Sequence, residues 1–182
     1  MFGLAGQALC AGPARGHELP ENRLTLVLRN GHHLALTLLI DYPETLHRTL
    51  APQQAFAQFA LACAAMPAAD LQAQLQRAHA RLQADTRLVL PDGSELPIIR
   101  WQWPDATQAQ ALMQQRVMAA VVAPGDHRHH PPTEIRAEAR ARHDLRELSV
   151  RLPAQLQRVL VVWSRPTQRW LDPGAASPPL RF

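Results

Sequence analysis

Residues 23–41 read RLTLVLRNGHHLALTLLID, and this stretch is the strongest indicator of the fold. Apolar and polar residues alternate on both sides of Asn30-Gly31, which is the period-two pattern of half-buried β-strands. An Asn-Gly pair between two such runs favours a tight turn. The stretch therefore predicts a β-hairpin with strands at about residues 23–30 and 33–41.

The length of the hairpin loop determines which leucines share a face. A two-residue turn would put the leucine rows of the two strands on different faces of the sheet. A three-residue loop over residues 29–31, with a left-handed Gly31, buries both rows together, and we prefer it. In that register the opposed pairs are Leu24 with Leu36 and Leu26 with Leu34.

The middle of the chain predicts three helices. The first begins at Pro52, a residue suited to an initial helical position, and ends at Pro67. The second covers about residues 70–85, and the third follows Pro104 with Asp105 as its N-cap. Apolar residues at helical spacing should face the core: Phe56, Phe59, Ala60 and Cys63; Leu71, Leu75, Ala78 and Leu82; Ala109, Met113, Val117 and Val121.

Further strands are expected around and after these helices. Residues 86–90 and 95–103 flank a Pro-Asp-Gly turn and predict a second hairpin. Residues 135–141 alternate strictly, and we expect residues 148–152 to pair with them. Val159–Ser164 is the most apolar strand, which predicts a central position, and residues 165–171 either extend it or form an edge.

These elements predict one α+β domain over residues 17–171, followed by a loose Pro-rich tail at 172–182. We expect an antiparallel β-sheet or sandwich with an inserted helical segment, with about three helices and about eight short strands. At 182 residues, 47% apolar and 19% charged, the chain is neither a disordered tail nor a membrane bundle. It contains no run of about 20 apolar residues, so no transmembrane span is predicted.

Residues 1–16, MFGLAGQALCAGPARG, resemble a secretory signal segment. The start is uncharged and apolar, and Ala14 and Gly16 are small residues suited to cleavage before His17. This predicts a periplasmic or secreted protein. The usual positively charged start is missing, so either the reading frame begins upstream or the segment is the tail of a cytoplasmic protein. Cleavage would remove Cys10 and leave Cys63 as a lone, buried structural thiol.

Histidines at 127, 129 and 130 form the densest group of potential metal ligands. His127 and His129 are two residues apart and would point to one side of an extended segment, and His130 follows directly. Neutral imidazole suits copper, nickel or zinc. If cleavage exposes His17, its ring and α-amine could bind the same ion. The alternative is a solvated loop whose histidines bind nothing specific.

Two other groups of residues favour structural interpretations. The arginines of residues 136–151 alternate with acidic residues, which indicates a solvated, salt-bridged face rather than a nucleic-acid interface. Trp101 and Trp103 lie two apart with Ile99 on the same row, which predicts a buried core row. We expect the same of Trp163 and Trp170.

No catalytic motif is present. None of the four serines lies in G-x-S-x-G, and H-E-x-x-H, Walker A, G-x-G-x-x-G and C-x-x-C are missing. The sequence therefore predicts a protein that is not an enzyme.

The chain resembles the exported N-terminal region of HupE/UreJ-type bacterial membrane proteins. The likeness lies in the signal-like start followed by His-Glu-Leu at 17–19, the amphipathic hairpin, the Arg/Glu-alternating strand and the apolar strand ending in Ser-Arg-Pro at 164–166. Those proteins are linked to nickel and to hydrogenase or urease accessory functions. The membrane helices of such proteins are missing here, so the resemblance implies a freestanding periplasmic domain that partners such a membrane protein.

Two hypotheses about function follow. The first is an exported, non-enzymatic binding or accessory domain whose partner is a membrane protein involved in metal handling. The second is a transition-metal-binding protein or metalloenzyme that uses His127, His129, His130 and His17. A cytoplasmic nucleic-acid binder is a third and less favoured interpretation.

Overall fold

The computed structural model describes residues 22–122, 130–167, 171–174 and 176, and these contain four α-helices and eight β-strands. The strands are β1 (Asn22–Arg29), β2 (His33–Ile40), β3 (Arg87–Val89), β4 (Glu95–Leu96), β5 (Ile98–Gln102), β6 (Thr133–Arg140), β7 (Ser149–Arg151) and β8 (Val159–Ser164). The helices are α1 (Tyr42–Leu50), α2 (Phe56–Ala65), α3 (Ala68–Asp85) and α4 (Ala106–Val122). The protein is α+β with helices inserted between strands, as predicted. None of the helices described combines the length and apolar character needed to cross a bilayer.

The strands form two sheets. The large sheet has the order β5-β6-β2-β1-β8, and β8 runs parallel to β1 while the other neighbours are antiparallel. The small sheet has the order β4-β3-β7 and is antiparallel. The fold therefore combines a mixed sheet with an antiparallel one.

The β1–β2 hairpin has a three-residue loop, as predicted, but the loop lies one residue later than expected. It covers residues 30–32, so Arg29 pairs with His33. Asn30 and Gly31 are both left-handed, with φ angles of 49° and 74°. Two successive left-handed residues are the geometry that Asn-Gly favours, and the prediction assigned that conformation to Gly31 alone.

The predicted leucine pairing is consequently wrong by two residues. Leu26 lies opposite Leu36 rather than Leu34. A shift of two residues keeps every side chain on its original face, because successive side chains of a strand alternate. The two leucine rows therefore still share one face, and its buried members are Leu24, Leu26, Leu34, Leu36 and Leu38.

This leucine face is the base of the core. Strand β6 extends it with the buried residues Ile135, Ala137 and Ala139, as predicted. The helices cover it with the stripes expected from the sequence. Their buried members are Phe59, Ala60 and Cys63 in α2 and Leu71, Leu75, Ala78 and Leu82 in α3. Burial raises the pKa of the Cys63 thiol, consistent with the predicted structural role.

The prediction for α4 holds in the first half of the helix only. A backbone N–H of the first turn donates to Asp105 Oδ1 at 2.8 Å, so Asp105 is the N-cap as expected. Ala109 and Met113 are buried, and Val117 is half-buried. Val121, predicted to face the core, is 70% exposed, because the last turns of α4 extend beyond the described elements that pack on it.

Helix α1 is absent from the sequence prediction. Asp41 Oδ1 accepts the Glu44 N–H at 3.2 Å, and Pro43 lies in the first turn, which together form a standard helix start. The alternation of β2 runs directly into this start and hides it. Pro52 lies in the turn after α1, and α2 begins at Phe56, so the expectation that Pro52 starts a helix is wrong.

Three strand predictions are also wrong. Residues 95–103 form two strands in different sheets, separated by Pro97, which has no N–H to continue a ladder. Strand β7 pairs with β3 instead of β6, because the segment before it bonds to the hairpin loop: Leu145 N–H donates to the Gly31 carbonyl at 2.7 Å. Strand β8, predicted to be central, lies at the edge beside β1, since β2 occupies the other side of β1.

We predict that Gly31→Ala lowers the free energy of unfolding by more than Gly93→Ala does. Both glycines are left-handed, at φ 74° and 83°, so each substitution should cost about 1 kcal/mol of backbone strain. A Cβ on Gly31 would also lie 2.8 Å from Asp144 Cγ, whereas nothing lies within 4 Å at Gly93. Because Asp144 is exposed and its carboxylate can rotate away, we expect the extra loss in urea unfolding to be about 0.5 kcal/mol. Equal losses would contradict the close approach of Asp144.

Candidate functional site

The exposed edge of the large sheet is the most unusual surface of the described chain. Strand β8 bonds to β1 on one side, and no described strand lies on its other side. Leu160 and Val162 on the outer face are 37% and 39% exposed. Val161 and Trp163 alternate with them and share the inner face with the leucines of β1. The strand is therefore apolar on both faces and has an open backbone edge.

Trp163 marks the place where the cover of the core ends. Across the sheet it belongs to one row with Leu26, Leu36 and Ala137. Those three residues are 3–5% exposed, and Trp163 is 77% exposed. The prediction that Trp163 is buried is therefore wrong, although its side chain does lie on the core face of the sheet. Trp170 lies outside the described residues.

An apolar groove of about 740 Å³ opens beside Trp163. It separates the inner face of the large sheet from β7 and the segment that precedes it. Its apolar lining comprises Leu26, Leu28, Leu34, Val89, Pro91, Leu145, Leu148, Val150, Val161 and Trp163. A groove of this size and lining can accept apolar side chains or a small apolar molecule.

The charges around β8 are mainly positive. Arg158 precedes the strand and Arg165 follows it, and both are exposed. Arg146 and Arg165 line the groove, where Glu147 is the acidic member of the described lining. None of these three arginines forms an ion pair with another residue of the described ranges.

The predicted metal ligands lie largely beyond what the structure describes. His127, His129 and His17 are outside the described residues, and His130 is half-buried beside the ion pair of Arg116 and Asp41. Within residues 22–122 and 130–167, no three His, Cys, Asp or Glu side chains are grouped to hold an ion. The described chain thus contributes a single histidine, His130, to the predicted set.

The environment of His130 lowers the pKa of its ring and so favours the neutral form. Burial, and after it the charge of Arg116, lowers the pKa of His130, while the Asp41 carboxylate acts in the opposite direction. A neutral imidazole is the form that binds a metal ion. The form of the His130 ring that is favoured here is thus the one that the predicted ligand role requires.

A second cluster joins four aromatic rings from α1, α3, β5 and the residue that follows β5. Trp101 stacks on Trp103 with ring centroids 5.4 Å apart, and Trp103 stacks on His79 at 4.5 Å. His79 Nε2 lies 2.7 Å from the hydroxyl of the buried Tyr42. The two tryptophans pack against the core but are only half-buried, so the predicted burial holds in part. Ile99 does not pack against the core, being 45% exposed.

The exposure of Ile99, which was predicted to be buried, has a local cause in strand β5. The β5–β6 register shifts between Ile99 and Gln102, where Arg100 has a φ of 55°. Such a bulge breaks the alternation of faces that the prediction assumed.

The predicted salt-bridged face exists in part. On β6, Glu134 pairs with Arg136, and Glu138 pairs with Arg100 at 2.9 Å. Glu138 Oε2 also lies 3.4 Å from His33 Nε2. These pairs make the outer face of β6 a solvated ionic surface.

Comparison with known proteins finds no family model, curated protein or solved structure that matches the chain.

We predict that His79 makes folding sensitive to mild acid. Burial lowers the pKa of His79 to about 4, from an ordinary value near 6.5. The unfolded chain then binds a proton at a higher pH than the folded chain does, so stability is complete above about pH 6.5 and declines toward pH 4.

Urea unfolding of the wild type and of His79→Gln, across that pH range, tests this. Glutamine keeps an acceptor for the Tyr42 hydroxyl and does not titrate. We expect the variant to lose less stability on acidification than the wild type does. Parallel declines in the two proteins would contradict the role of His79.

Proposed function

We propose that this protein is a non-enzymatic binding domain that accepts an extended segment of a partner protein along β8. The observation that carries the proposal is the 77% exposure of Trp163 on a row whose other members are buried. A large aromatic side chain on a core face costs free energy in water, and a bound partner that covers it recovers that cost.

The composition of β8 supports a strand as the occupant. Its sequence, VLVVWS, is apolar on both faces, which is typical of strands with neighbours on both sides. Soluble proteins usually protect an edge of this kind, because its free N–H and C=O groups pair readily with another chain. An added strand would satisfy those groups and extend the large sheet.

The groove supports side-chain recognition by the same occupant. In an added strand, alternate residues would face the side on which Val161 and Trp163 lie. These residues would reach the apolar groove of about 740 Å³. The backbone would then supply affinity and the groove would select the side chains.

The proposed location and partner rest on the sequence. The signal-like residues 1–16 support export to the periplasm or secretion. The resemblance to HupE/UreJ-type proteins supports a membrane protein in metal handling as the partner. The lack of a recognisable catalytic motif supports binding rather than catalysis.

We predict that a peptide of alternating valine and threonine, with uncharged ends and the length of β8, protects β8 amides from hydrogen exchange. Trp163→Ser should weaken its binding about 30-fold, since a central aromatic contact contributes about 2 kcal/mol. Val122→Ser is the matched control, because Val122 is also 77% exposed but lies on α4. It should leave binding unchanged.

Folding controls accompany this comparison. Both residues are mostly exposed, so each variant should keep its free energy of unfolding within about 0.5 kcal/mol of the wild type. Absence of protection at β8, or equal binding by Trp163→Ser, would refute the proposed site.

The alternative proposal is a transition-metal protein. Its support is the grouping of His127, His129 and His130, together with the neutral ring of His130. It predicts one tightly bound copper, nickel or zinc ion, lost when His127 and His129 are changed to alanine.

One measurement tests both export and metal binding. The protein is expressed with its native upstream coding sequence, and its native mass is determined in the periplasmic fraction. We expect a chain that begins at His17. One retained metal ion, absent from the double alanine variant, would favour the alternative. An unprocessed cytoplasmic chain would refute export, and metal retained by the variant would refute the histidine site.

A further inference from the structure

We infer that the segment accepted by β8 is acidic at both ends and is not the β8 strand of a second copy of this chain. The inference rests on the proposed binding at β8 and specifies its partner. It is carried by the charges at the ends of the strand, where Arg158 and Arg165 flank six residues without charge.

The positive charge extends beyond these two residues. Arg146 lies on the groove wall together with Arg165. Arg23 lies opposite Leu160 on the neighbouring strand, and its buried Nε has no hydrogen-bond partner among the described residues. An incoming strand with neutral ends would leave this charge uncompensated.

The described acidic residues nearby do not pair with this charge. Glu147 lines the groove, and Asp144 lines a smaller cavity that Arg165 also lines. Neither is within ion-pair distance of a described arginine. Since residues 22–122 and 130–167 supply no partner for these arginines, we place the complementary charge on the occupant, as glutamate or aspartate at its ends.

The same arginines oppose self-association. A second copy related by a two-fold axis would add its own β8 antiparallel to the first. Consider a two-fold axis that passes through the middle of the strand, at Val161 or Val162. Arg158 of one copy then lies opposite a residue next to the partner's Arg165. By symmetry the same happens at the other end of the paired segment. Two neighbouring cations at each end repel each other and have no carboxylate between them.

The positive charges at both ends of β8 therefore determine which strands can pair with its open edge. They disfavour another copy of the same strand, which is how charged residues commonly restrain aggregation-prone strands. They attract a strand with the opposite charge at its ends. The edge can then remain exposed without the protein assembling on itself.

The binding test uses peptides as long as β8, with alternating valine and threonine and either glutamate or lysine at both ends. At low salt we expect the glutamate-ended peptide to bind about tenfold more tightly than the lysine-ended one, from two exposed ion pairs. At about 1 M salt the preference should disappear, because screening then acts within about 3 Å.

Charge reversal supplies the matched variants. Arg158→Glu combined with Arg165→Glu should make the lysine-ended peptide the tighter ligand. Arg140→Glu is the control, because Arg140 is an exposed arginine on β6, which is separated from β8 by β2 and β1. It should keep the preference for glutamate.

Analytical ultracentrifugation tests whether β8 pairs with β8 of a second copy. The wild type should be monomeric. Arg158→Glu alone should increase self-association at low salt, since it places a carboxylate beside the partner's Arg165 at both ends. The double reversal should be monomeric again, because both ends then carry like negative charges.

The outcomes separate this inference from the proposed function. Equal binding of the two charged peptides, with both lost in Trp163→Ser, would overturn the inference and keep the binding site. A wild-type dimer that protects β8 would overturn it in favour of a second copy. Failure of every peptide to protect β8, or full protection of β8 in the free monomer, would overturn the binding site itself.

Discussion

The whole fold depends on one constraint, the burial of two leucine rows on a single face of the β1–β2 hairpin. Five leucines of these strands are at most 5% exposed. At about 25 cal/mol per Å² of apolar surface, their burial is a major contribution to stability. Strand β6 widens this face, and α1 to α4 cover it from one side. Asp41 joins the parts, since it caps α1 and pairs with Arg116 of α4.

The extent of this leucine face also explains the exposed apolar surface at Trp163 and the groove beside it. The leucines of the hairpin are buried in the core, whereas β7 and the segment before it line a groove beside Trp163. Strand β8 continues the core face past β1, and its Val161 still packs against the core. Its Trp163 is a residue of core type that the described elements leave 77% exposed. A binding function at Trp163 and the groove would use apolar surface that the described part of the fold leaves uncovered.

The candidate site was only partly predictable. The apolar character of β8 and the face of Trp163 follow from alternation, and the flanking Arg158 and Arg165 are visible in the sequence. That β8 has one neighbour instead of two among the described strands is not visible, because strand order depends on contacts more than 100 residues apart, such as the pairing of Asn22 with Val159. The aromatic cluster likewise assembles Tyr42, His79 and Trp103 from three separate parts of the chain.

The inward face of the hairpin strands, β6, α2 and α3 could be predicted from the sequence, because the periods of 2 and 3.6 are properties of the local backbone. Burial could not, since Ile99, Val121 and Trp163 are exposed. The buried stripe of α3 and the shared face of the hairpin leucines follow from those periods, even though the hairpin register shifted by two residues. Only the tertiary structure decided which strands are neighbours and where the cover of the core ends. Those features are set by which apolar faces can pack together across distant parts of the chain, and no local pattern encodes that competition.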